Sequence, residues 1–173
     1  LHPSVYGSEV VKNILEETKI PKEKIDEVVV GNILPAGLGQ GVARQVSLGA
    51  GIPVSVPAYG INMVCGSGMK TIMIAYTSIK AGFHNMVLVG GIESMSMAPN
   101  IIPGRVRQGY KMGGFTVTDH MIADALTDPF DNVHIGITAE NIVDQFNLTR
   151  EEQDEFDIES QRRAIEAVDA GKF

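Results

Sequence analysis

The sequence predicts an α/β fold, with a parallel-rich mixed sheet covered by helices and then part of a mainly helical region. Three observations carry that expectation. Val28-Val29-Val30 is a wholly apolar, β-branched run closed by Gly31-Asn32, the pattern of a strand buried on both faces, and such strands belong to parallel sheets. Apolar runs at 58–64 (AYGINMV) and 86–89 (MVLV) repeat the strand signal, with helical patterns between them. The order strand, helix, strand, helix, strand favours right-handed crossovers and helices on both faces of the sheet.

Taken in order, residues 8–19 place Val10, Val11, Ile14 and Leu15 on one helical stripe, with Ser8 as N-cap and Pro21 just past the end. After the first strand comes the Gly-rich stretch 35–41, then a helix through Ala43, Val46 and Leu48 that ends near Gly49–Gly51. A helix over 66–81 follows the second strand at once. Beyond Pro99 the texture changes, with Gly104, Gly109, Gly113 and Gly114 among Arg105, Arg107 and Lys111. Helical patterns return at 118–126, 136–146 and 150–170. In the last of these Thr149 and Glu152 form a capping box, Phe156, Ser160, Ala164, Ile165 and Val168 share a stripe, and Gly171 ends the helix. The expected division is an α/β domain over 1–98 and a partial, mainly helical domain over 99–173.

Composition narrows the function. The 173 residues are 44% hydrophobic and 20% charged, the make-up of a compact domain with its own core. Charged, Gly or Pro residues interrupt every apolar run before the roughly eighteen residues that a membrane span needs, so no membrane partner is expected. A net charge of −7 without any Lys/Arg cluster offers nucleic acid no positive surface. The one cysteine excludes an intramolecular disulfide and a Cys-rich zinc site. His2, His84, His120 and His134 are too far apart for a helical metal pair, so neither a metal nor another cofactor is expected. The chain opens Leu1-His2-Pro3 without an initiator Met or a signal-peptide pattern, the expectation for a piece of a longer protein. A cytoplasmic location is expected, with a mitochondrial one as the alternative.

Cys65 stands between a strand and a helix that begins Gly66-Ser67-Gly68, at the positive end of a helix dipole, where a thiolate is favoured. The glycines leave room for a substrate, and nearby N–H groups are candidate oxyanion donors. Residue pattern alone weighs this nucleophile evenly against a small buried core cysteine. Other motifs fail. Gly37 and Gly39 fit two positions of a dinucleotide fingerprint whose third, residue 42, is Val, and no Lys-Ser/Thr follows as a phosphate loop requires. A hydrolase elbow around Ser67 would need Gly where Cys65 stands, and Gly68-Met69 replaces the Cys and aromatic residue of a papain-type motif. His134 starts a helix and by default is structural. Met69, Met73, Met95 and Met97 read as packing, and the acidic residues 151–159 as a solvated helix face that complements the dipole.

Asn62-Met-Val-Cys65-Gly-Ser-Gly-Met-Lys70, Gly90-Gly-Ile-Glu-Ser-Met-Ser-Met-Ala-Pro99, Lys111-Met-Gly-Gly, Asp124-Ala-Leu-Thr-Asp-Pro-Phe130 and His134-Ile-Gly-Ile-Thr-Ala-Glu-Asn141 resemble the thiolases in order and spacing, most of all the short-chain acetyl-CoA acetyltransferase branch. The resemblance implies a five-layered α/β/α/β/α enzyme of two similar halves. This chain would be most of the first half, without its opening strand, plus part of a loop domain. Cys65 would take the acyl group from acetyl-CoA as a thioester, and a second acetyl-CoA would attack it to give acetoacetyl-CoA. Leu126, His134 and Ile135 match positions that line the pantetheine and acyl pocket. Residues 104–115 resemble a loop through which these enzymes form tetramers, so a homodimer or homotetramer is expected. The family's Gly-His-Pro motif and second catalytic Cys are absent from this sequence, so the chain alone is expected to be nearly inactive. The competing readings are a longer-chain 3-ketoacyl-CoA thiolase, a ketoacyl synthase, and a non-catalytic module for acyl-CoA binding or oligomerisation.

Overall fold

The computed structural model describes residues 1–172. It forms two compact units, Leu1–Ala125 and Leu126–Phe173. The division falls later than the change of texture near residue 98, because the excursion folds back on its own base. There, the strands β4 (Asn100–Ile101) and β5 (Thr118–Asp119) pair antiparallel, and the His120 N–H donates to the Pro99 carbonyl at 3.1 Å.

In the first unit the order is α1 (Pro3–Thr18), β1 (Glu27–Gly31), α2 (Val42–Gly49), β2 (Ala58–Ile61), α3 (Ser67–Lys80) and β3 (Val87–Gly91). The three strands make one parallel sheet in the order β2-β1-β3, with Val28 opposite Ala58 on one side and Leu88 on the other. Being central, β1 is buried from Val28 to Gly31, as its unbroken apolar run requires. The core joins Val28 and Val30 to Val11 of α1, to Ala43 and Val46 of α2, and to Ile25, Ile52 and Val56 of the loops.

Three element boundaries differ from expectation. α1 begins five residues before Ser8, because Pro3 is already set for the first turn and lacks an N–H to satisfy, while the His2 ring nitrogen caps the Ser4 N–H at 3.3 Å. Ser8 is instead buried inside the helix, its hydroxyl directed between the carbonyls of Ser4 (2.6 Å) and Val46 of α2 (3.2 Å). β2 stops at Ile61, three residues short of the apolar run, where the chain must turn into α3. Residues 118–126 hold β5 and a five-residue π-helical turn, Ile122–Leu126, in place of an α-helix; the Asp119 carboxylate accepts the Met121 N–H at 2.8 Å and turns the chain there.

In the second unit α4 (Ile135–Phe146) and α5 (Arg150–Asp169) follow an antiparallel bridge between Thr127 and His134. The capping box of α5 is present, with the Glu152 N–H donating to Thr149 Oγ1 at 3.1 Å and the Thr149 N–H to Glu152 Oε2 at 2.8 Å. The apolar stripe of this helix is not buried, since Phe156, Ile165 and Val168 are all exposed.

Candidate active site

Cys65 lies where β2 has ended and α3 is about to begin. The residue before it, Val64, has φ +46°, a left-handed conformation that is a true outlier for a β-branched side chain. The turn is closed tightly. The Gly66 N–H donates to the Met63 carbonyl and the Ser67 N–H to the Val64 carbonyl, both at 3.0 Å. The N–H groups of Gly66 and Ser67, two of those near the thiol, are therefore committed to the turn. The Cys65 side chain is free of disulfide and exposed, which sets aside the alternative of a buried core cysteine.

Close approach of sheet and helix sets the position of this turn. A Cβ added at Gly31, the last residue of β1, would lie 2.8 Å from both the carbonyl carbon and the Cβ of Ser67. Only glycine lets the start of α3 sit against the end of β1. α3 turns Ser67, Thr71 and Ala75, all small, toward the sheet.

Beside the thiol is a cavity of about 220 Å³ lined by Gly31, Asn32, Cys65, Ser67, Gly91 and Glu93, among others. It lies at the carboxyl ends of β1 and β3, the location where open parallel sheets take ligands. Glu93 organises its wall. Its carboxylate accepts from Asn32 Nδ2 (2.9 Å), from the Ile33 N–H (2.8 Å) and from the Leu34 N–H (3.2 Å). Asn32 Nδ2 also donates to the Ile92 carbonyl at 3.2 Å, so its Oδ1 faces the other way, buried and without a partner. A more enclosed, apolar groove between α1 and β3 has Tyr6 as its one titratable lining residue. Burial, followed by the nearby Glu93 charge, raises the Tyr6 phenol above its ordinary value, against the lowering effect of its bond to the Glu93 carbonyl. That groove holds no nucleophile.

The other residues expected at the site lie in the second unit. Leu126 is half-buried, while His134 and Ile135 are exposed. The Thr127–His134 bridge and the Asp128 N–H bond to the Val133 carbonyl at 2.8 Å bring Leu126 beside the His134–Ile135 pair. His134 caps α4, its Nδ1 accepting the Gly136 N–H at 3.0 Å, and a ring that accepts at Nδ1 presents Nε2–H as a donor. Asn32 was not singled out from the sequence, Ser67 was weighed only as the centre of a hydrolase elbow, and Glu93 entered only within the Gly90–Pro99 segment of the resemblance. The usable signals were a polar Asn directly after a buried strand and a hydroxyl residue two positions after the cysteine. Among the described residues no group of three His, Cys, Asp or Glu is placed to hold a metal ion, and no helix is long and apolar enough to cross a membrane.

Residues 3–173 match the family model described as thiolase, N-terminal domain. A probable acetyl-CoA acyltransferase of Staphylococcus epidermidis is 48% identical over 167 residues, and one of Staphylococcus aureus is 46% identical. These alignments cover 96% of this chain and 42% of the relatives, so the chain spans under half of their length. A crystal structure of the Acat5 thiolase from Ascaris suum in complex with coenzyme A superposes with a TM-score of 0.88 at 38% identity, over 96% of this chain and 43% of that one. With a glycine-seated helix start presenting an exposed thiol at the carboxyl edge of a parallel sheet, and with sequence agreement over almost its whole length, the chain belongs to the thiolase family as an N-terminal domain.

Proposed function

We propose that this chain carries the acyl-accepting part of an acetyl-CoA acetyltransferase and that Cys65 is its nucleophile. The observation that carries the reading is the exposed Cys65 thiol at the start of α3, on a cavity at the carboxyl ends of the strands. The coenzyme A complex of the Ascaris thiolase supports acyl-CoA as the substrate class. The Cys65 sulfur attacks the thioester carbonyl carbon of acetyl-CoA, the bond from that carbon to the CoA sulfur breaks, and CoA departs as a thiol with the proton that Cys65 gives up. In the full reaction a second acetyl-CoA loses a methyl proton to a base, its carbanion attacks the acetyl-Cys65 carbonyl, and the Cys65 thiolate leaves as acetoacetyl-CoA forms. Leu126, His134 and Ile135 would contact the acyl-pantetheine, with His134 Nε2–H as a donor. Residues 104–115 would contribute to a homodimer or homotetramer, and no cofactor is required.

The second step needs a base when the only Cys is occupied as a thioester, and the sequence has no second Cys and no Gly-His-Pro. The expected behaviour is therefore one acetylation per chain without steady turnover. Intact mass after incubation with acetyl-CoA is expected to show a single acetyl adduct that is lost in Cys65→Ser. A folded chain that gives no adduct, either alone or with the remainder of the protein supplied, would overturn the assignment of Cys65, and steady thiolysis of acetoacetyl-CoA by the chain alone would overturn the predicted arrest.

A further inference from the structure

Ser67 makes two hydrogen bonds that span Cys65. Its Oγ accepts the Met63 N–H at 2.9 Å and donates to the Val64 carbonyl at 2.6 Å. Asn62 Oδ1 accepts the Val64 N–H at 2.9 Å. Both flanks of the left-handed Val64 are thus held by side chains, as a strained residue requires. The latch is also anchored, because Ser67 is only 4% exposed and packs on Gly31. A separate observation marks the cavity beside it as a place for a ligand. Asn32, 7% exposed, lines the same cavity, and its buried Oδ1 accepts no hydrogen bond, where a buried polar atom is ordinarily paired.

We infer that Ser67 is a positioning residue for Cys65, holding Val64 in its left-handed conformation so that the thiol stays at the start of α3 and faces the cavity. This rests on the reading of Cys65 as the nucleophile. Release of the latch lets Val64 relax to an extended or right-handed backbone, which swings the following residue away from the helix axis.

The test is the rate at which iodoacetamide alkylates Cys65 in the full chain, a reaction that needs no recognition of an acyl-CoA. Ser67→Ala is expected to slow alkylation about tenfold, the population shift carried by one or two net hydrogen bonds. Adding Val64→Gly is expected to return the rate to within about threefold of the wild type, because glycine adopts a positive φ without strain. A Ser67 that merely packs α3 on β1 would not be rescued by glycine at position 64. Asn62→Ala, at an exposed residue, with its own Val64→Gly rescue, provides a second pair in case Ser67→Ala fails to fold. Wild-type rates in Ser67→Ala and Asn62→Ala would overturn the inference, as would slow rates that Val64→Gly leaves unchanged. Acetyl-CoA is offered to the same proteins in parallel. If alkylation follows the expected pattern while none of them accepts an acetyl group, either alone or with the remainder of the protein supplied, the positioning role stands and the acyl-acceptor reading falls.

Discussion

Glu93 shows what one side chain can organise. Its carboxylate takes hydrogen bonds from three consecutive residues of the loop after β1, so Glu93→Ala leaves three donors without their acceptor. Chemical denaturation should show a loss of about 3 kcal/mol, and retention of wild-type stability would mean that water replaces the carboxylate without penalty. Asp26 plays a similar part at the opposite end of the strands. Its carboxylate accepts the N–H groups of Met86 (3.0 Å) and Asn85 (2.7 Å), which with a minor contribution from His84 hold it below its ordinary 3.8. A carboxyl with a depressed folded value contributes stability above its unfolded pKa and loses it as the pH falls through the folded one. Asp26→Asn should therefore lower stability at neutral pH and flatten the profile below about pH 4, the two proteins converging as the wild-type carboxyl protonates, and an unchanged acid limb in denaturation at stepped pH would refute this. Cys65 was legible in the sequence because the glycines around it are local. The parts played by Asn32, Glu93 and Ser67 were not, because they arise from contacts between the ends of β1, β3 and α3, segments that only the folded sheet brings together.

At the scale of elements, the same distinction explains which boundaries were found. The capping box of α5 is a matter of residues three apart, and the sequence pattern located it to the residue. The start of α1 depends on a His cap before a Pro, and the end of β2 on the turn to Cys65, neither of which hydrophobic spacing encodes. The seat of α3 on β1 is the element contact on which the site depends. Gly31→Ala would force a methyl against Ser67, and thermal unfolding should show a loss of about 1–3 kcal/mol together with slower Cys65 alkylation. A stable, fully reactive Gly31→Ala chain would show that the helix start can shift without consequence. For α5, no residue of which is buried, the cap matters more than packing. Thr149→Ala should cost about 1 kcal/mol and appear as lost helicity in far-ultraviolet circular dichroism, and unchanged helicity would mean that the i,i+4 charge pairs suffice.

For the molecule as a whole, α3 is turned inside out relative to an ordinary surface helix. Its small residues face the sheet, while Met69 (70% exposed), Ile72 (60%) and Tyr76 (64%) face outward. β2 and β3 are also open edges of a three-stranded sheet. Apolar faces and open edges of this kind favour association, so the isolated chain should self-associate in light scattering, and Ile72→Lys with Tyr76→Lys should reduce it. A monodisperse wild-type monomer would count against this expectation.

The central place of β1 has a further consequence, in time. Its two partners follow it in the chain, β2 at Ala58–Ile61 and β3 at Val87–Gly91, and every pairing in the sheet is parallel and distant in sequence. Contacts of that kind form late, because long loops must close before they repay the lost freedom of the chain. During synthesis the bare valine strand emerges before both of these partners and stays without the second until residue 91 has cleared the ribosome. Through that interval it is the segment of this unit most exposed to mispairing, and the one a chaperone would be expected to hold.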